Sequence, residues 1–189
     1  MPAYDLDLSE ETIEQLGAFY SLLNRWNDRL HLVAPCSPEE FATRHVLESL
    51  MLLEHLAPAA KIADIGSGAG LPIIPCLIAR ADLQATLIES SQKKAVFLRE
   101  ALNTVGRSAT VIARPFEQVD TPAVAFVTCR ALDQFISKIS DIVNWAPARS
   151  TLLFFGGETL REELIKLNVK FRESLMPLSE KRFLFNVSL

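Results

Sequence analysis

Three glycines, Gly66, Gly68 and Gly70, alternate along Asp64-Ile-Gly-Ser-Gly-Ala-Gly-Leu-Pro72, directly after the apolar run that starts at Lys61. An acid, Glu89, closes the next apolar run. Strand, glycine turn, helix, strand and terminal acid make the front half of a nucleotide-binding α/β unit, in which the acid accepts hydrogen bonds from ribose hydroxyls. The spacing is GxGxG, whereas a dinucleotide fingerprint is GxGxxG and would need its third glycine at Leu71. A pyrophosphate requires that close approach beside a helix N-terminus. S-adenosylmethionine has no phosphate, and asks the turn only to pass its aminoacyl and ribose portions. The motif therefore points to a methyl donor, with a nicotinamide dinucleotide ranked last.

Other candidates follow at the ends of later apolar runs. Asp64, at the end of the first strand, is placed to orient the glycine loop, or the donor's amine through water; a solvated strand-end carboxylate is the plainer reading. Ala113-Arg-Pro-Phe-Glu117 leaves the third strand where an adenine edge belongs, so Pro115 and Phe116 offer apolar contact. Arg130, in Thr128-Cys-Arg-Ala131, ends the fourth strand at the crevice between diverging connections. Packing explains an arginine there poorly. Cys129 beside it has no local base and reads as a buried strand thiol. Arg25, Arg29, Arg44, Lys93, Lys94 and Arg114 are candidates for a phosphate-binding rim, although paired lysines are commonly a solvated helix face.

Composition narrows the class. The 189 residues are 49% hydrophobic, enough for one well-cored domain and unlike a disordered chain. No apolar run is long enough to span a membrane, and the start lacks the pattern of a signal peptide, so a cytoplasmic protein is expected. The three cysteines are scattered and His31, His45 and His55 share no ligand spacing, so neither a metal nor a disulfide framework is expected. A formal charge of −4 argues against a general nucleic-acid coat but leaves room for a local basic patch.

The positioning elements can be read from periodicity. Ile13, Leu16, Phe19, Tyr20, Leu23, Trp26 and Leu30 share one helical face over residues 9 to about 31. Ser37-Pro-Glu-Glu40 predicts a capped second helix whose apolar face uses Phe41, Leu47, Leu50, Met51 and Leu53. Strands are expected at 61–65, 85–89, 109–113, 123–129 and 150–155, and helices at about 72–80, 91–105, 132–145 and 158–168. Val169–Leu175 and Arg182–Leu189 read as an antiparallel pair. The expected architecture is α/β: a mostly parallel seven-stranded sheet of Rossmann-like, class I methyltransferase type. Residues 1–60 form an N-terminal helical layer packed on a 61–189 core, within one structural unit.

Taken together, the motifs resemble the RsmG (GidB) family of bacterial small-subunit ribosomal RNA guanine-N7 methyltransferases. The resemblance rests on Phe19-Tyr-Ser-Leu-Leu-Asn-Arg-Trp-Asn27, Arg44-His-Val-Leu-Glu-Ser49, Asp64–Pro72, Leu87-Ile-Glu-Ser-Ser-Gln-Lys-Lys94 with Phe97-Leu98, and Cys129-Arg-Ala131. It implies methyl transfer from S-adenosylmethionine to N7 of a guanine in 16S rRNA, free or in the small subunit, by a monomer. It also implies that Gly66, Leu71, Glu89, Pro115, Phe116 and Arg130 line the cofactor pocket, while Arg44, His45 and Arg114 face the RNA. The chain departs from the family pattern at His31-Leu32-Val33, at Ile73 and at Phe155-Gly156-Gly157, where a Leu-Lys-Gly is usual. Two readings stay open beside it: a methyltransferase of this fold with another acceptor, and a noncatalytic relative that binds RNA or the donor.

Overall fold

The computed structural model describes residues 7–130 and 135–189. Its sheet has the order β3-β2-β1-β4-β5-β7-β6, built from β1 (Lys61–Ile65), β2 (Gln84–Ile88), β3 (Thr110–Ile112), β4 (Phe126–Arg130), β5 (Thr151–Gly156), β6 (Lys170–Leu175) and β7 (Phe183–Ser188). The first five strands run parallel, and β7 lies antiparallel between β5 and β6. The expected α/β architecture, with its antiparallel tail, is therefore the observed one. β1 and β4 pair directly, Asp64 opposite Thr128. Connections leave these two strands in opposite directions, which opens a crevice at their carboxyl ends.

Both faces of the sheet are covered, which is why the interior residues of β1 and β4 are buried without alternation. On one face lie α1 (Glu10–Leu30), a helical stretch at 38–55 termed α2, α3 (Ile73–Ala79) and α4 (Gln92–Thr104). On the other lie α5 (Phe135–Trp145) and α6 (Glu158–Lys166). The expected start of α5 at 132 lies outside the described residues. Phe19, Leu22 and Phe41 from the N-terminal helices share a core with Ile62, Leu77 and Leu98. Polar contacts join the layers too: the Trp26 indole N–H donates to Glu100 at 3.1 Å, and Arg107 donates to the carbonyls of Leu77 and Ile78.

Capping residues set the helix starts. Ser9, Ser37 and Ser91 each accept a backbone N–H three residues on, at the heads of α1, α2 and α4. The expected capping box of α2 forms only in part, because the Glu40 carboxylate turns to Arg44 instead, at 2.8 Å. A second departure has more consequence. Between Phe41 and Leu47 the helix widens to π geometry. One extra residue per widened turn rotates all that follows by about 100° relative to an α-helix. Of the expected apolar face, Phe41, Leu47 and Leu50 are buried and Met51 and Leu53 are half-buried against the same core, while Val46, Glu48, Ser49 and Leu52 are buried as well. An acid, Glu48, thus lies in the interior.

Candidate active site

At the carboxyl ends of β1, β2 and β4 the crevice widens into a cleft of about 720 Å³. The glycine turn forms its floor. Gly66, Gly68 and Gly70 all have positive φ, and the amides of Gly66 and Ser67 donate to the Ile88 carbonyl at 2.8 and 3.2 Å, hugging the end of β2. Gly68 faces the open cleft: a Cβ there would meet only the Gly66 carbonyl oxygen at 3.5 Å and Glu89 Oε2 at 4.0 Å. Gly70 serves a different purpose. A Cβ on it would fall 2.4 Å from Ile74 Cδ1 and 3.3 Å from Leu98 Cδ2, so its bareness lets the turn press onto α3 and α4.

Glu89 lines the cleft, and its carboxylate is anchored from behind. Oε2 accepts from the Gly68 amide at 2.8 Å and Oε1 from the Ser91 amide at 2.7 Å. Each oxygen keeps a second lone pair, so the acid both fixes the turn and retains acceptor capacity toward the cleft. Asp64 is fully buried and does not line the cleft. Its Oδ1 accepts from the Thr128 hydroxyl at 2.6 Å, Oδ2 has no partner among the described residues, and burial pushes its carboxyl up to about 7. It acts on the loop through the backbone, where the Asp64 carbonyl accepts the Ser67 hydroxyl at 3.0 Å.

The opposite wall comes from α2 and the C-terminal strands. Arg130, its side chain 14% exposed, donates through Nη2 to Glu48 Oε2 and to the Arg44 carbonyl, both at 3.0 Å. Its Nη1 is buried and finds no acceptor among the described residues. The guanidinium also lies 5.3 Å from the Phe155 ring centroid. Glu48 is 1% exposed and its other oxygen, Oε1, accepts from Arg182 Nε at 2.9 Å and Nη2 at 2.5 Å. One buried carboxylate thus holds two guanidinium groups on the rim of the cleft. His45 packs at a tilt against Phe41, with ring centroids 5.4 Å apart. Burial, reinforced by Arg130 and Arg44, pushes its imidazole down to about 4, so it is neutral near pH 7.

Of the residues singled out in the sequence, Gly66, Gly68, Leu71, Glu89, Arg44, His45, Lys94 and Arg130 meet at this cleft. Asp64, Gly70, Arg114, Pro115 and Phe116 are not among its lining residues, nor are Arg25, Arg29 and Lys93. The Phe116 ring packs edge-on against Trp145 at 6.0 Å, in the core beneath α5. Sequence reasoning did not single out Arg182, and it quoted Asn27 and Glu48 only within longer motifs, with no role of their own. The Asn27 side chain clasps Val33 through two 3.0 Å bonds, Nδ2–H to the carbonyl and Oδ1 from the amide, and so sets the loop of Leu32 and Val33 against the cleft. Gly156 also lines the cleft, and Leu160 fills the space where its Cβ would stand, with Cδ2 at 2.4 Å.

Comparison with known proteins finds relatives in sequence and in fold. The family model GidB, rRNA small subunit methyltransferase G, matches residues 12–182. The chain is 40% identical over 157 residues to the Ribosomal RNA small subunit methyltransferase G of Xanthomonas campestris pv. campestris, covering 82% of this chain and 73% of that one. It is 34% identical over 171 residues to the protein of that name from Gluconobacter oxydans, covering 88% and 86%. Among solved structures, a methyltransferase from Pyrococcus furiosus superposes with a TM-score of 0.62 at 9% identity, over 93% of this chain and 98% of that one. The O-methyltransferase from Bacillus cereus gives 0.61 at 12% identity, over 92% and 91%. At such identities these two speak for the fold alone.

Proposed function

This chain belongs to the GidB family, rRNA small subunit methyltransferase G, and we propose that it transfers one methyl group from S-adenosylmethionine to N7 of a guanine in 16S rRNA. The observation that carries this reading is the pairing of an open glycine turn with a cationic rim across one cleft. The donor fits the floor: Gly68 leaves room that a Cβ would fill, and Glu89 keeps free lone pairs beside it. Gly66, Gly68, Leu71 and Glu89 would hold it. When bound, S-adenosylmethionine supplies a methyl group activated on a sulfonium centre.

The rest of the chemistry belongs to the protein. Guanine N7 presents an in-plane lone pair and no proton, so no residue has to act as a base. A cleft whose one histidine is a weak base with a pKa near 4 suits that demand. Arginine commonly grips guanine through O6 and N7 together, and that grip would cover the nucleophile. Here Nη2 of Arg130 is held back by Glu48 and the Arg44 carbonyl, and Nη1 is buried with no acceptor among the described residues. Neither nitrogen is therefore presented for a two-point grip on O6 and N7, which leaves N7 clear. Holding reactants in line is worth several orders of magnitude in effective concentration, so catalysis by position suffices.

Arg44 and His45 lie on the RNA side of the cleft in this reading, with Arg114 farther out. The N-terminal helical layer acts as part of the same structural unit, since apolar side chains of the described residues up to 60 share the core of the sheet. The protein is taken to act as a monomer. The test is transfer of labelled methyl groups to small ribosomal subunits purified from cells that lack the enzyme. Label in the 16S rRNA supports the proposal. Label in protein or in other RNA, with none in 16S rRNA, refutes it.

A further inference from the structure

We propose that a recess of about 240 Å³ beside the cleft, between α2 and the turn joining β6 to β7, is a subsite for the phosphate and nucleoside adjoining the methylated base. The inference rests on the RNA-methylating reading above and extends it to a second binding position. The recess is walled by Glu40, Thr43 and Arg44 on one side and by Pro177, Leu178 and Arg182 on the other. Arg44 and Arg182 line both the recess and the main cleft. The two hollows therefore share a cationic partition, and whatever fills the recess must pass that partition to be joined to the occupant of the cleft. A phosphodiester between two nucleosides has that charge and that connectivity.

The partition is built to stay in place. Arg182 donates Nε and Nη2 to the buried Glu48, its side chain remaining 39% exposed, and Nη1 has no acceptor among the described residues. A planar guanidinium fixed along one edge and open on the other matches phosphate oxygens in geometry as well as charge. Arg44 is half-exposed and pairs with Glu40 at 2.8 Å. That surface pair is weak and screened, so a phosphate can take the place of the carboxylate. The Thr43 hydroxyl donates to the Glu39 carbonyl at 2.8 Å and serves as wall rather than as donor. The apolar side is unusual: Leu178 is 73% exposed and sits at φ 54, where a leucine is rarely found. A large aliphatic side chain held in water next to Pro177 gives a base a surface to cover.

The experiment measures binding of unmethylated small ribosomal subunits across a salt series, with the full-length protein and the variants Arg182→Gln, Arg182→Lys and Leu178→Asp. Cofactor affinity, measured in parallel, reports whether each variant is folded. Arg182→Gln is expected to flatten the dependence of log affinity on log salt by about 0.7–0.9, the slope of one lost phosphate contact. Arg182→Lys restores the slope. Leu178→Asp, on an exposed turn, weakens RNA binding about tenfold or more by like-charge repulsion, with cofactor affinity unchanged. Equal slopes for the wild type and a folded Arg182→Gln overturn the subsite. If Arg182→Gln does not fold, unchanged RNA affinity in Leu178→Asp overturns it instead. Absence of any methyl transfer to 16S rRNA by the wild type removes the parent reading as well, whereas transfer with equal slopes removes the subsite alone.

Discussion

Glu48 and Arg130 meet across 82 positions of sequence in a 3.0 Å charge-assisted hydrogen bond. Both are largely buried, so the pair is a commitment rather than a surface accident. Two charges taken out of water lose hydration, and mutual attraction offsets that loss only while both remain.

Removing the carboxylate should therefore be severe. Glu48→Ala leaves Arg130 uncompensated in the interior and is expected to lower unfolding free energy by about 3–5 kcal/mol. Glu48→Gln keeps shape and one acceptor, and should lose less. Urea denaturation measures both; a loss within about 0.5 kcal/mol for the alanine variant, the range of ordinary surface changes, would show the pair to be idle.

Arg130→Lys keeps the charge but replaces the fork with a single ammonium, which cannot engage Glu48 and the cleft with the same geometry. The expected result is a fall in kcat of roughly 10²-fold, with the larger effect on kcat rather than on KM for the donor. Single-turnover kinetics on small subunits separates the two. A change confined to KM would assign Arg130 to binding alone.

The glycines divide the labour of the turn, and substitution should separate their roles. Gly68→Val puts a branched side chain at φ 47 into the cleft, and donor affinity by calorimetry should fall about tenfold or more, about 1.4 kcal/mol. Gly70→Ala drives a methyl group against Ile74 and Leu98 and should destabilise by roughly 1–3 kcal/mol, read as a lower Tm. Unchanged donor affinity in the first variant, or unchanged Tm in the second, would contradict this division.

Asp64 should leave a signature in the pH dependence of stability. Burial raises its pKa from 3.8 to about 7 in the folded chain, so between those values the folded state binds more protons than the unfolded state. Its contribution is thus fully present below pH 3.8 and declines as pH rises through about 7. Asp64→Asn removes the group and should be more stable relative to wild type at pH 8 than at pH 5, by chemical denaturation. A difference independent of pH would refute the assignment.

Local chemistry was readable in the sequence; chemistry assembled over distance was not. Short, mostly apolar runs and serine caps place β1, α1 and α4 within about a residue or two of their observed ends, because both signals lie at the elements themselves. Gly66, Gly68, Leu71 and Glu89 were legible for the same reason. The role of Glu48 was not, because its partner Arg130 stands 82 positions away in sequence. Arg182 was hidden by topology, since only the C-terminal hairpin brings it to Glu48, 134 positions away. Phe116 shows the reverse case. A strand-exit phenylalanine suggested an adenine contact, but the 3-10 turn Phe116–Gln118 packs its ring against Trp145.

The central claim is that the cleft places a guanine N7 against a bound methyl donor, and one measurement addresses it directly. Small subunits from cells lacking the enzyme are incubated with the pure protein and S-adenosylmethionine, and 7-methylguanine is mapped in the 16S rRNA by reduction and strand cleavage. One new cleavage site, at a guanine and dependent on both protein and donor, is the predicted result. Methyl groups appearing on another atom or another molecule, with no such site, would contradict the account.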